Sequence, residues 1–236
     1  MTFELLNLIF RTGMGTSNWQ NISYNIGLIR KLNPESILDV GIGFGRWGIL
    51  FREFLEIWDA AKYNGEWERI IDGVEIFPGY IKPYHDYFYD TIYINDALNF
   101  MKSLEREYDL INFGDVIEHL EKEKGEELIN IALAKSKYVL INIPIGPHWQ
   151  QDETEINPHE AHKSIWYYRD FVKYKYNKIK SFNDFVKRDF SVILLSRNKI
   201  KYDNRFGKFF GIKNFLKHKL GLRKIVERYE KSKYKS

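Results

Sequence analysis

Short apolar runs alternate with longer stretches of helical periodicity from about residue 17 to residue 197 of this 236-residue chain. The first periodic stretch, capped by Thr16 or Ser17, runs to about Lys31 with Trp19, Ile22, Ile26 and Ile29 on one face, and Pro34 stops it. SILDVGI then reads as a strand, WGILFREFLEIWDAA as a helix with Leu50, Phe54 and Ile57 among its apolar positions, and RIIDGVEIF as a second strand ended by Pro78. A short helix precedes a third strand, TIYINDA. ALNFMKSLERE is helical, YDLINFGDV a fourth strand, IEHLEKEKGEELINIALAKS a helix and KYVLINIPI a fifth strand. After the polar loop GPHWQQDETEINPHEAHK come the helix SIWYYRDFVKYK and two strands, NKIKSFNDF and FSVILLSR, joined by the turn VKRD. This alternation demands right-handed crossovers. It predicts an α/β fold, a doubly wound and mostly parallel sheet to which the terminal hairpin adds an antiparallel strand.

Composition narrows the picture only a little. A hydrophobic content of 44% with 17% aromatics is that of a globular chain able to bury a core. The absence of cysteine removes disulfides, thiolate zinc sites and a cysteine nucleophile, and fits a cytoplasmic setting. No apolar run reaches the length of a membrane span, and the N-terminal residues lack the basic start and cleavage site of a signal peptide. Charge is more informative. Residues 199–236 carry 13 Lys/Arg against 3 Asp/Glu, whereas residues 1–198 carry 23 against 29. We therefore divide the chain into a main domain, 1–198, and a basic amphipathic extension, 199–236.

The chemistry concentrates in ILDVGIGFGRWGIL, residues 37–50. An apolar strand ends in Asp39, glycines follow at Gly41, Gly43 and Gly45, and a helix begins near Trp47. Glycine permits a sharp strand-to-helix turn and lets a ligand lie against bare backbone, while the helix start offers unpaired N–H groups. GFGRWG also satisfies a dinucleotide pattern, so the ligand is decided by the acids. Asp39 would repel a pyrophosphate but can address an amino acid ammonium. Asp39, Glu75, Asp96 and Asp115 end four successive strands, which in such a sheet line the ligand crevice. Glu75 is placed to accept from both hydroxyls of a ribose and Asp96, beside Ala97, from an adenine amino group, with Phe77 available to the adenine face. That set describes S-adenosylmethionine.

At these residues the chain resembles the class I S-adenosylmethionine-dependent methyltransferases, over roughly 17–197, through LDVGIGFG, VEIF, INDA, GDVIEHL and INIPIGP. It is similar more narrowly to a bacterial group with a GFG[KR]WG turn and a later NPxxxHxSxW element, here NPHEAHKSIW. The resemblance implies a Rossmann-like sheet of seven strands, the last antiparallel, with helices on both faces and methyl transfer from the cofactor sulfonium. The separation of Asp39 from Glu75 is longer than in a minimal dinucleotide unit, which a longer helix and the NGEWER loop account for.

Two further segments bear on the acceptor. In GDVIEHL, Asp115 is expected to line the pocket as both a cofactor-binding and a catalytic residue, and Glu118–His119 reads either as a metal-binding pair or as a brace for the pocket wall. We favour the brace, with no metal ligands assigned, because the sequence shows no second ligand pair. The loop after the fifth strand gathers His148, His159 and His162. His162 is the candidate base for a hydroxyl acceptor, since imidazole titrates near neutrality; the competing reading is that it pins the loop. The expected activity is methyl transfer to an oxygen or nitrogen of a small molecule or glycan. FGDV stands where base amino methyltransferases usually show Asp/Asn-Pro-Pro-aromatic, which disfavours that chemistry. The alternatives are an RNA-modifying enzyme recruited by the tail and a non-catalytic cofactor-binding module. The tail itself, with Phe209, Leu216 and Leu220 on one stripe among lysines, fits a peripheral contact with anionic membrane, or docking on the domain or on a sister subunit of a homodimer, better than nucleic acid.

Overall fold

The computed structural model describes residues 18–58, 65–153 and 157–202. The chain forms two compact units, one of residues 1–30 and 34–200, the other of 31–33 and 201–236. Of the second, 31–33, 201 and 202 are described. The caps Thr16 and Ser17 and nearly all of the basic extension lie outside the described residues. No helix among the described residues is long and apolar enough to cross a membrane.

The first unit is built on one seven-stranded sheet. Its strands are β1 (Ser36–Val40), β2 (Ile70–Glu75), β3 (Thr91–Ile94), β4 (Tyr108–Gly114), β5 (Ser136–Pro144), β6 (Tyr176–Asn183) and β7 (Asp189–Ser196), in the spatial order β3-β2-β1-β4-β5-β7-β6. All pairings are parallel except those of β7, which runs antiparallel to both β5 and β6. Strand order reverses between β1 and β4, so the carboxyl ends of these strands diverge into a crevice.

The helices follow from the same periodicities. They are α1 (Ile22–Leu32), α2 (Arg46–Phe51), α3 (His85–Phe88), α4 (Ala97–Ser103), α5 (Lys122–Lys135) and α6 (Tyr168–Val172). On α5 the buried residues Gly125, Leu128, Ile129, Ala132 and Leu133 recur every three or four positions. Leu128, Ile129, Ala132 and Leu133 join one large core with Leu38 and Val40 of β1, Ile111 and Phe113 of β4, Ile141 and Ile143 of β5, and Trp166. Successive strand residues face opposite ways, so Asp39, Asn112 and Asn142 share the other sheet face.

Three element boundaries differ from those the periodicity predicts. The helix after the glycine turn continues from α2 as a wider π-helical turn, Arg52–Ile57, which carries the buried Arg52, Leu55 and Glu56. The segment after β4 makes a single 3-10 turn, Ile117–His119, before α5 begins. Helix α6 starts at Tyr168 rather than near Ser164, because the N–H groups of Lys163 and Ser164 donate to the Glu118 carbonyl at 2.8 and 3.1 Å. An extended strap therefore runs from the loop after β5 across the end of β4.

Candidate functional site

The carboxyl ends of β1, β2 and β4 and the chain just beyond β3 open on a cavity of about 520 Å3, whose walls include Gly41, Gly43, Glu75, Asp96, Ala97, Asp115 and His162. Seven of the residues singled out in the sequence thus meet at one site. Its floor is the glycine turn. Gly41 has φ +77°, and a Cβ there would sit 2.4 Å from Cγ2 of Val116, so the position demands glycine twice over. The N–H groups of Gly41 and Ile42 both donate to the Val74 carbonyl, at 2.8 and 3.3 Å, which bends the chain over the end of β2.

Glu75 is fixed from both sides. Its Oε2 accepts from the Gly43 N–H and its Oε1 from the Phe77 N–H, each at 2.9 Å. Each oxygen retains a further lone pair. Burial raises the Glu75 carboxyl, against the backbone N–H groups of Gly43, Phe77 and Ile76. Asp96 caps α4 by accepting from the Asn99 N–H at 2.9 Å. Asp115 lies in the left-handed region at φ +55°, a conformation aspartate tolerates better than most residues and one that turns the chain back at the end of β4.

Asp39, Gly45 and Phe77 are placed elsewhere. Asp39 is fully buried below the glycine turn, where Tyr89 donates to its Oδ2 at 2.6 Å and Asn112 to its Oδ1 at 2.8 Å. A Cβ at Gly45 would lie 2.8 Å from the His85 ring, and Phe77 packs edge-on against Tyr80, leaving Ile76 on the cavity wall. In this geometry Asp39 shapes the floor through Tyr89, whose hydroxyl also accepts from the Gly48 N–H at 3.1 Å.

Burial drives the Asp39 carboxyl up to about 7, against the hydrogen bonds from Tyr89 and Asn112. Between the unfolded value near 4 and that value the folded protein holds a proton that the unfolded chain releases. This contribution to unfolding free energy therefore falls as pH rises from about 4 to about 7, by at most about 1.4 kcal/mol per unit. His119 and His162, whose values are lowered, act with the opposite sign over part of that window. Comparison of wild type with Asp39→Asn isolates the effect: urea unfolding at pH 5 and pH 8 should show wild type losing stability relative to the variant at pH 8. A difference independent of pH would show that Asp39 is ionised throughout.

Another wall of the cavity is formed by the strap and the loop before it, through Trp149, Gln151, Asn157, His159, Glu160, His162 and Lys163, with Phe185 from the β6–β7 turn. Glu160 is the hub of this wall. It accepts from Tyr80 at 2.6 Å, Asn157 at 3.1 Å and Gln151 at 3.1 Å. His162 is lowered to about 4, by burial first and by His119 second, so its imidazole is neutral near neutrality. Burial likewise lowers His119, and burial followed by the charge of Asp115 raises Glu118.

The sequence reading passed over several wall residues. Asn18 and Gln20 lie just ahead of α1, and Arg46 opens α2, donating to the Asn18 carbonyl at 3.2 Å. The signal for Arg46 was a basic residue directly after the last glycine of the turn. His119 was read as a brace, yet its ring lies 4.9 Å from that of His162, a juxtaposition only the path of the loop creates.

No protein-family model and no curated protein sequence matches the chain. Solved structures do match its fold. A SAM dependent methyltransferase from Archaeoglobus fulgidus aligns at a TM-score of 0.52 and 17% identity, over 83% of this chain and 100% of that one. The fold is that of the S-adenosylmethionine-dependent methyltransferases. Magnesium protoporphyrin IX methyltransferase (ChlM) from Synechocystis PCC 6803, solved with bound SAM, aligns at 0.50 and 13% identity over 83% of this chain and 86% of that one. The methyltransferase domain of bacterial-CtHen1-CN aligns at 0.50 and 14%, over 77% and 100%. At these identities the likeness is one of fold, and the chemistry has to be read from the side chains.

Proposed function

We propose that the chain is an S-adenosylmethionine-dependent methyltransferase acting on an oxygen or nitrogen of a small molecule or glycan. The observation that carries this reading is Glu75. Backbone N–H groups on either side hold its carboxylate at the cavity wall, with acceptor capacity left for the two hydroxyls of a ribose. From there the bare backbone of Gly41–Gly43 leads one way and Asp96 with Ala97 the other, as a methionine portion and an adenine require. Asp115 lines the same cavity. The wall combines aromatic and imidazole groups, Trp149, His159 and His162, which suit a sugar ring or a small polar acceptor. In-line alignment of acceptor and methyl is the main task of such a site.

Calorimetry with S-adenosylmethionine and, in parallel, NAD tests the cofactor. Saturable binding of S-adenosylmethionine at one per chain is expected. Preferential binding of NAD would reject the reading.

A further inference from the structure

We propose that Glu118, His119 and His162 form a site for one divalent first-row transition cation, such as Mn2+, Co2+ or Zn2+, at the acceptor end of the cavity. One ligand atom from each of the three lies within 4.8 Å of the others. Ligand atoms about 2.1 Å from a shared ion stand roughly 3–4 Å apart, so closing on it takes side-chain movements of about an ångström.

Three features distinguish this cluster from ordinary packing. The first is Glu118. Its side chain is 1% exposed, and neither carboxylate oxygen has a hydrogen-bond partner. A brace would use those oxygens, and either neighbouring imidazole could have supplied the donor. Instead Glu118 is held by its main chain, whose carbonyl accepts from Lys163 and Ser164, while the carboxylate is left in the cluster. A carboxylate buried without partners is costly, and a cation removes that cost.

The second feature is the orientation of the imidazoles. His119 Nδ1 lies 3.1 Å from the Ala161 carbonyl oxygen, and His162 Nδ1 is bonded to the Trp149 carbonyl oxygen. A carbonyl only accepts, so both Nδ1 atoms carry hydrogens and both Nε2 atoms present lone pairs. Donation of the other ring N–H to a backbone carbonyl is the usual arrangement of a metal-ligating histidine. The third feature is the electrostatic setting. The Asp115 and Glu160 carboxylates act on Glu118, and Glu160 acts on both imidazoles, whereas Lys163 opposes at His119 and Arg188 at His162. Two imidazoles with one carboxylate suit a borderline cation better than Ca2+.

All three residues line the cavity, so a cation held there has its open positions towards the acceptor. On the methyltransferase reading, this narrows the acceptor to a hydroxyl. A bound cation lowers the hydroxyl's pKa; the proton passes to solvent and the oxygen lone pair forms the O–CH3 bond. The C–S bonding pair returns to sulfur as the thioether forms.

The test uses the full chain after chelator treatment, titrated with Co2+ and followed by visible absorption, alongside calorimetric titration with S-adenosylmethionine. One Co2+ per chain is expected, with a ligand-field spectrum, and both Glu118→Gln and His119→Gln should weaken its binding at least ~10-fold. If Glu118→Gln does not fold, His162→Gln replaces it under the same expectation. Absence of saturable Co2+ binding in wild-type protein that binds S-adenosylmethionine overturns the cation site and leaves the proposed function standing. Equal Co2+ affinity in wild type and folded variants also overturns it. Co2+ binding without S-adenosylmethionine binding would sustain the site and remove the function.

Discussion

Glu75→Ala should lower affinity for S-adenosylmethionine by at least about 100-fold while leaving the sheet intact. On the proposed reading the substitution removes the acceptor for two ribose hydroxyls, and hydrogen bonds to a charged group contribute roughly 1.5–3 kcal/mol each. It also strips the Gly43 and Phe77 N–H groups of their partner, which loosens the turn that seats the other end of the ligand. Binding and floor geometry thus fail together. Glu75→Gln separates the two causes. Its amide keeps one acceptor oxygen but turns an NH2 towards a backbone donor, so an intermediate loss is expected. The measurement is calorimetry with S-adenosylmethionine and with its demethylated product. Affinities within threefold of wild type would place the ligand somewhere other than the end of β2.

Arg52→Ala should have the largest effect on stability, about 3–5 kcal/mol, since removing one member of a buried ion pair strands the other. Arg52 and Glu56 are each 1% exposed. The guanidinium donates to the Phe88 carbonyl at 2.9 Å, the Arg69 carbonyl at 2.7 Å and Asp90 at 2.8 Å, with Glu56 at 3.4 Å. It also lies over the Trp67 ring at 5.2 Å. Glu56 in turn accepts from the N–H groups of Glu68 and Arg69, at 3.2 and 2.6 Å. One buried cation therefore ties the π-helical turn to the start of β2 and the approach to β3. For a domain of this size each kcal/mol moves Tm by about 2–4 °C, so a fall of roughly 6–20 °C is expected in thermal unfolding. Arg52→Met with Glu56→Leu should recover much of the loss, because the stranded charge goes as well. A fall below about 2 °C for Arg52→Ala would refute this account of the network.

The parallel core was legible because strands covered on both faces keep near-continuous apolar runs such as LINF and VLINIP, while acids stand where the second, third and fourth strands end. Those acids also disclosed the cavity wall at Glu75, Asp96 and Asp115. Asp39 belongs to the same series, yet whether it faces ligand or protein depends on Tyr89, fifty positions along the chain, and on Asn112 in the neighbouring strand. No local pattern encodes that meeting. The same holds for the Glu118–His119–His162 cluster, which exists because the strap's main chain pairs with the Glu118 carbonyl. That pairing also delayed the start of α6, where helical periodicity alone predicted an earlier one. The π-helical turn escaped notice since its buried arginine looks, in sequence, like one more solvated charge.

The hairpin order at the far side of the sheet has a consequence for synthesis. Among the described residues β7 is the last strand, but it lies between β5 and β6, and its residues pair with β5 from Tyr138↔Ser196 to Pro144↔Phe190. While a nascent chain is still emerging from the ribosome, β5 has one flank bare until residue 196 is free, and that flank carries the apolar stretch Val139–Ile143. β6 cannot substitute without shifting its partner. Its lysines, Lys178 and Lys180, suit a strand that ends a sheet rather than one that fills it. Polypeptides released early, short of β7, should therefore be the ones that self-associate and draw chaperones, while the finished chain closes its own wound.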